Sequence, residues 1–229
     1  MKSKRVNKPQ AFSGLARFVV VGAFVLGVLP SPGGALVLFA QSQKAAGAGV
    51  NTKPASAPGK VSMAPLRAFL ARSKRLSAQG KLDISKPRTI TVEGDRQEDG
   101  TLTNVQITGD SSSDPNFRRA AQDFVTALNE SRALQLLETV SHVRMTFGLD
   151  ASRFTVQSTH DTPTEARAAE MARGYRVMVN VGRMAKRGTD EGALLSGLKI
   201  SSSGKQLLMN LDMPREQMGN ILHRQITPN

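Results

Sequence analysis

From Arg88 onward the chain switches between two hydrophobic periods, two residues and then three to four, and repeats the switch three times. In the first round Ile90 and Val92, then Val105 and Ile107, stand at alternate positions. Gln97 to Gly100 lies between them and carries the turn dipeptide Asp99, Gly100. Asp114 and Pro115 pair an N-cap acceptor with a proline suited to the first helical position, and Phe117, Ala121, Phe124 and Leu128 then fall on one helical face. In the second round Val143, Met145, Phe147 and Leu149 alternate with polar or small residues. Asp150 to Ser152 turns the chain, Phe154 and Val156 return, and Thr162, Pro163 and Glu165 form a capping box ahead of Met171, Ala172, Tyr175, Met178 and Val179. That helix is expected to stop near Arg187 and Gly188, with cations at its carboxyl end. In the third round Leu198 and Ile200 face Leu207, Met209 and Leu211 across Ser203 and Gly204, and Pro214 opens a last helix through Met218, Ile221 and Leu222. The expected fold is α+β: an antiparallel or mixed sheet built from β-hairpins, each followed by a helix, with the helices on one face. Alternating strands have one dry side only.

The amino-terminal third is patterned differently. Residues 1–17 carry Lys2, Lys4, Arg5, Lys8 and Arg17; residues 18–40 contain the uncharged apolar run Phe18 to Leu29, then Pro30 to Gly34, then Ala35 to Ala40. This is the layout of a signal peptide or membrane anchor. Twelve helical residues rise only about 18 Å against a hydrocarbon core of about 30 Å. The longer stretch to Ala40 is interrupted by Pro30 and Pro32. Cleavage after Ala35 or Ala40 and retention of the segment both stand as readings. Residues 41–60, rich in Ala, Gly, Ser, Pro and Lys, read as a disordered tether. Residues 61–80 read as a basic amphipathic lead-in helix, with Leu66, Phe69, Leu70 and Leu76 among Arg67, Arg72, Lys74 and Arg75. Such a helix packs on the following domain or meets anionic lipid or nucleic acid. The lack of interleaved aromatic residues favours packing, and no nucleic-acid partner is expected.

Charge sharpens this division. Of 31 Lys and Arg residues, 12 lie before residue 81, where there is no Asp or Glu; residues 81–229 are close to neutral. The basic balance therefore belongs to the leading segment, and residues 81–229 are long enough to bury a core without a metal or cross-link. The absence of cysteine removes disulfides, thiolate metal sites, cysteine nucleophiles and lipoprotein anchoring.

Candidate chemistry is sparse. His142, His160 and His223 are scattered without the i+2 or i+4 companions of a metal site. His160 beside Asp161 suggests an acid-base pair, but both are expected in the turn before the capping box, where such residues serve the backbone. Ser202 to Lys205 spells S-x-x-K, yet it falls in a hairpin turn, not on the helix that would bring serine and lysine together. The Gly204, Lys205 pair lacks the rest of a phosphate loop, with Lys199 and Gln206 at the positions that need glycine and a hydroxyl. Met171, Met178, Met184, Met209, Met213 and Met218 lie on expected apolar faces, as gap-filling residues do. No cofactor or metal and no enzyme activity is expected.

The stretch Asp99 to Leu128 (DGTLTNVQITGDSSSDPNFRRAAQDFVTAL) resembles the carboxyl-terminal domain of the TonB family. The likeness rests on Asp99 and Gly100, Val105 and Ile107, Ser111 to Ser113, Phe117 and Ala121, with Val143 to Leu149 as the following strand. It covers residues 88–150, and residues 151–229 add a carboxyl-terminal extension. The chain departs from the family in its short tether and in having no histidine before residue 142. The resemblance implies a non-enzymatic protein of the cell envelope with a periplasmic domain, anchored in the inner membrane through residues 18–40 or released by cleavage. It further implies binding of an envelope protein partner, such as a segment of an outer-membrane transporter, by strand addition. The edge for that addition would be Val143, Met145, Phe147 and Leu149, although the same alternation fits a central strand. The alternative is an exported scaffolding or binding domain with a cleaved signal peptide and no energy transduction.

Overall fold

The computed structural model describes residues 61–83 and 85–226, so the basic segment, the apolar segment and the tether expected at residues 1–60 lie outside the described residues. The helices are α1 (Ala64–Ala78), α2 (Pro115–Ser131), α3 (Glu165–Ala185), α4 (Asp190–Gly197) and α5 (Arg215–Ile226). The strands are β1 (Arg88–Arg96), β2 (Leu102–Thr108), β3 (His142–Leu149), β4 (Arg153–Asp161), β5 (Leu198–Ser203) and β6 (Gln206–Pro214). The three expected hairpins are β1–β2, β3–β4 and β5–β6, each followed by a helix, and all join one antiparallel sheet of order β2-β1-β3-β4-β6-β5. The fold is α+β, as the periodicity predicts.

Register makes the buried face continuous. One row crosses the sheet as Ile90, Phe147, Val156, Leu211 and Leu198; the next as Val92, Met145, Ser158, Met209 and Ile200; the third as Gly94, Val143, His160, Leu207 and Ser202. Paired residues share a face, so the period-two pattern of each strand becomes a sheet with one apolar surface. The other face is polar and paired across strands. Thr91 Oγ1 lies 2.9 Å from Thr146 Oγ1, Glu93 meets Arg144, and Arg153 Nε donates to Asp212 at 2.7 Å.

The helices cover the apolar face. α2 packs on β1 and β2, α5 on β4 and β6, and α3 on β5 and β6, while α1 lies against α2 and α5. α1 inserts Leu66, Phe69 and Leu70 into the core and leaves Arg67, Arg72 and Arg75 outside, so the lead-in helix packs on the domain. Three rings tie the layers together. Phe124 of α2 meets Phe147 of β3 edge-on at 5.4 Å and tilts against Phe69 of α1 at 6.1 Å.

Local signals explain the element boundaries. Asp114 accepts from Asn116 and Phe117 at the start of α2, as expected. For α3 the cap is Thr164, which accepts from Arg167 at 3.1 Å. Thr162, expected in that role, instead donates to the Lys205 carbonyl at 2.6 Å and ties the β5–β6 turn to the end of β4. α3 ends at Ala185, near the expected stop, but α4 follows before β5 and the period pattern does not reveal it. Thr189 caps it, accepting from Gly192 at 3.2 Å.

Phe124→Ala would empty the middle of the ring column. It is expected to lower unfolding free energy by about 3 to 5 kcal/mol in denaturant titration, without changing the strand content seen by circular dichroism.

Candidate functional site

The strand expected at an edge is a central one. β3 lies between β1 and β4, paired from His142 to Leu149 on the β4 side and from His142 to Leu149 on the β1 side as well. Val143, Met145, Phe147 and Leu149 are all buried beneath the helices. Amide groups on both sides of β3 are engaged in the ladders, so no segment can add there. The physical reason is β4: residues Arg153 to Asp161 fill the position that an added strand would take.

The sheet ends instead at β2 and β5, and a side chain clamps the start of each. Asn129 of α2 accepts from the Leu102 N–H at 2.8 Å and donates to its carbonyl at 3.1 Å, standing in for a neighbouring strand at the head of β2. Beyond that point β2 bulges between Thr103 and Gln106, opposite Glu93 and Asp95 of β1, with Asn104 at φ 51° and its amide donating to Asp95 at 2.8 Å. At β5, Arg183 of α3 donates to the carbonyls of Leu195 and Leu198, both at 2.7 Å. From Leu198 to Ser203 the β5–β6 register runs without a shift and closes on Gly204 and Lys205, with Gly204 at φ +51° supplying the positive angle of the turn. The residues of β5 that face away from β6 alternate from Leu198, which makes them Ile200 and Ser202. Ser202 is exposed, and Lys199 projects from the solvent face. A bent edge and a short, lysine-bearing one both resist indiscriminate pairing.

Asp99 and Gly100, the expected turn dipeptide, serve the fold. Asp99 accepts from Thr101 and from Arg132 at the end of α2, and this hydrogen bonding holds its carboxyl down at about 2. Gln135 donates to the Asp99 carbonyl at 3.0 Å, and a Cβ on Gly100 would lie 2.6 Å from the Gln135 nitrogen, so only glycine fits where hairpin and helix meet.

The histidines divide. His142 Nδ1 lies 2.9 Å from Asp95 on the polar face, and His223 is in the last turn of α5. His160 is not in a turn but within β4, fully buried in the apolar row between Val143 and Leu207. Its Nε2 is 2.6 Å from Ser158 Oγ, two residues back on the same face, while Nδ1 has no hydrogen-bond partner. The Ser158–His160 pair has the reach of a nucleophile and its base, but it lacks an orienting third group and is closed to solvent. Asp161 points to the other face, accepting from Gln206 at 2.9 Å. Ser202 and Lys205 lie in the β5–β6 hairpin, as the sequence implies.

Among the described residues no three His, Cys, Asp or Glu side chains gather as metal ligands, and no helix is long and apolar enough to cross a membrane. Compared with known proteins, the chain matches no family model, no curated protein and no solved structure. Asn129 and Arg183 escape sequence reasoning, because a helix side chain bound to a strand terminus leaves no periodic trace. The buried His160 was legible in principle, since it continues the alternation Phe154, Val156, Ser158.

Burial pushes His160 down to about 3 from an ordinary value of 6.5. Between these values the unfolded chain binds a proton that the folded chain does not, so this group's effect is loss of stability as pH falls. The slope sets in around pH 6.5 and approaches roughly 1 kcal/mol per pH unit well below it. The Ser158→Ala/His160→Leu double variant removes both polar partners. It should stay near wild-type stability at pH 8 and lose that slope between pH 6.5 and 4.5, as read by denaturant titration across pH.

Proposed function

We propose that this chain is a non-enzymatic, TonB-like protein of the cell envelope whose α+β domain binds an envelope protein partner by accepting a strand at the β5 edge. The observation that supports this reading is the regular β5–β6 register, which carries outward main-chain groups at Ile200 and Ser202 beyond the Arg183 clamp. The basic head and apolar run of residues 1–40, and the hairpin-helix likeness of residues 88–150, supply the envelope context. In this reading the partner-facing edge has moved outward from β3, with β4, β6 and β5 added in turn.

One observation favours the alternative of an exported scaffolding domain without energy transduction. β4 fills the side of β3 that the resemblance assigns to a transporter segment. The two readings separate on the amino terminus. A membrane-bound protein with residues 18–40 intact keeps transduction in play, whereas a soluble species beginning near Leu36 or Gln41 leaves the scaffold.

Strand addition is tested by photocrosslinking in intact cells from Ser202, Thr103 and Thr146. Adducts are expected from Ser202 and none from Thr146 in the centre of the sheet. With the probe moved to the exposed Ser201, Ser202→Pro, which removes an edge donor without touching the core, should abolish the adduct and leave the melting temperature unchanged. Adducts from Thr103 alone would move the site to β2, and a folded protein with adducts from neither edge would end the proposal.

A further inference from the structure

Val177, Val181 and Met184 are exposed by 56%, 55% and 74%, and they are the large hydrophobic residues left open among the described residues. They stand on one stripe of α3 at i, i+4 and i+7. The opposite side of the same helix is occupied: Ala168, Met171 and Ala172 are buried, Tyr175 donates to the Leu136 carbonyl at 2.9 Å, and Gly182 admits Leu195 of α4. The stripe is therefore a second apolar face on a helix whose first face already serves the core.

Its flanks are cationic. From Met171 to Thr189 there is no Asp or Glu, while Arg173, Arg176, Arg183, Lys186 and Arg187 fall in that window. Arg183 is committed to the Leu195 and Leu198 carbonyls. Arg173, Arg176, Lys186 and Arg187 form no ion pair among the described residues. The acidic groups of the neighbouring element are Asp190, paired with Arg224, and Glu191; Glu170, about two turns before the stripe, is paired with Arg167.

The structure assigns this face of α3 to the surface of an anionic bilayer, with Val177, Val181 and Met184 at headgroup depth and the exposed Arg173 and Arg187 on lipid phosphates. A second copy fits poorly, because pairing α3 with α3 would bring these cations together with no acid between them. The chain itself argues for a bilayer nearby. Twenty residues, 41–60, stand between Ala40 and Val61, and at about 3.5 Å per residue even their fully extended length is about 70 Å, so a retained apolar segment would keep the domain within that distance of lipid. The inference does not rest on strand addition at β5.

The chain has no cysteine, so Val181→Cys places one environment-sensitive fluorophore on the stripe and Ser201→Cys places one on the opposite sheet face. The full chain carrying either probe is reconstituted into phosphatidylcholine vesicles with and without phosphatidylglycerol. The Val181 probe should shift to the blue only with phosphatidylglycerol, and revert in about 1 M salt, where the Debye length is about 3 Å. The Ser201 probe should not respond. Arg173→Gln with Arg187→Gln should weaken the anionic response roughly 30-fold in lipid titration. An equal response in both vesicle types, or at both probes, overturns the proposal. A blue shift without lipid that grows with protein concentration gives the face to a second copy. A shift that needs added envelope extract gives it to an acidic protein.

Discussion

Phe147 sits within β3 with Ile90 and Val156 beside it in the sheet and the Phe124 ring edge-on above. The sheet has one apolar face, so every helix is placed by what that face needs covered, and the turns and caps follow from the helix positions. α2 brings Phe124, α1 closes over it with Phe69, and α5 adds Met218, Ile221 and Leu222. The same constraint explains why the polar face is stitched by short cross-strand pairs. With no second layer of helices there among the described residues, each side chain is satisfied by its neighbour across the ladder or by water.

The element types were legible because both periods are local properties: Val143, Met145, Phe147 and Leu149 read as a strand wherever that strand lies in the sheet. Position within the sheet is a different matter. β1 finds β3, and β4 finds β6, through contacts between hairpins far apart in sequence, and nothing in an alternating segment records which neighbours it has. The edge assignment to β3 failed on this point. The misreading of His160 has a different origin, since a histidine beside Asp161 looks like turn chemistry until the alternation is carried two residues farther. Thr162 and Thr164 both suit an N-cap, and the tertiary bond to Lys205 decides between them.

β4 changes what the residues before it can offer. A β-β-α-β unit alone would leave one side of β3 open. Here β4 closes it from within the same chain, in continuous register from Leu149 and Phe154 to His142 and Asp161. The open ends of the enlarged sheet are then guarded by Asn129 and Arg183, each donated by a helix packed on the same face. The sheet is thus complete through its middle, and its unpaired main-chain groups lie at the margins, β2 and β5.

α1 gives the molecule a mechanical character. The chain enters the domain at Val61, where the Ser62 N–H donates to the Ser131 carbonyl at 2.9 Å, and the next apolar residues, Leu66, Phe69 and Leu70, are seated in the core. Tension applied at Val61 would fall first on that hydrogen bond and on Val61 and Met63, which pack against the core, and then on Leu66, Phe69 and Leu70 one after another. The sheet, pulled through neither of its edges, would stay intact while α1 yields, so the lead-in helix is the fuse of the assembly.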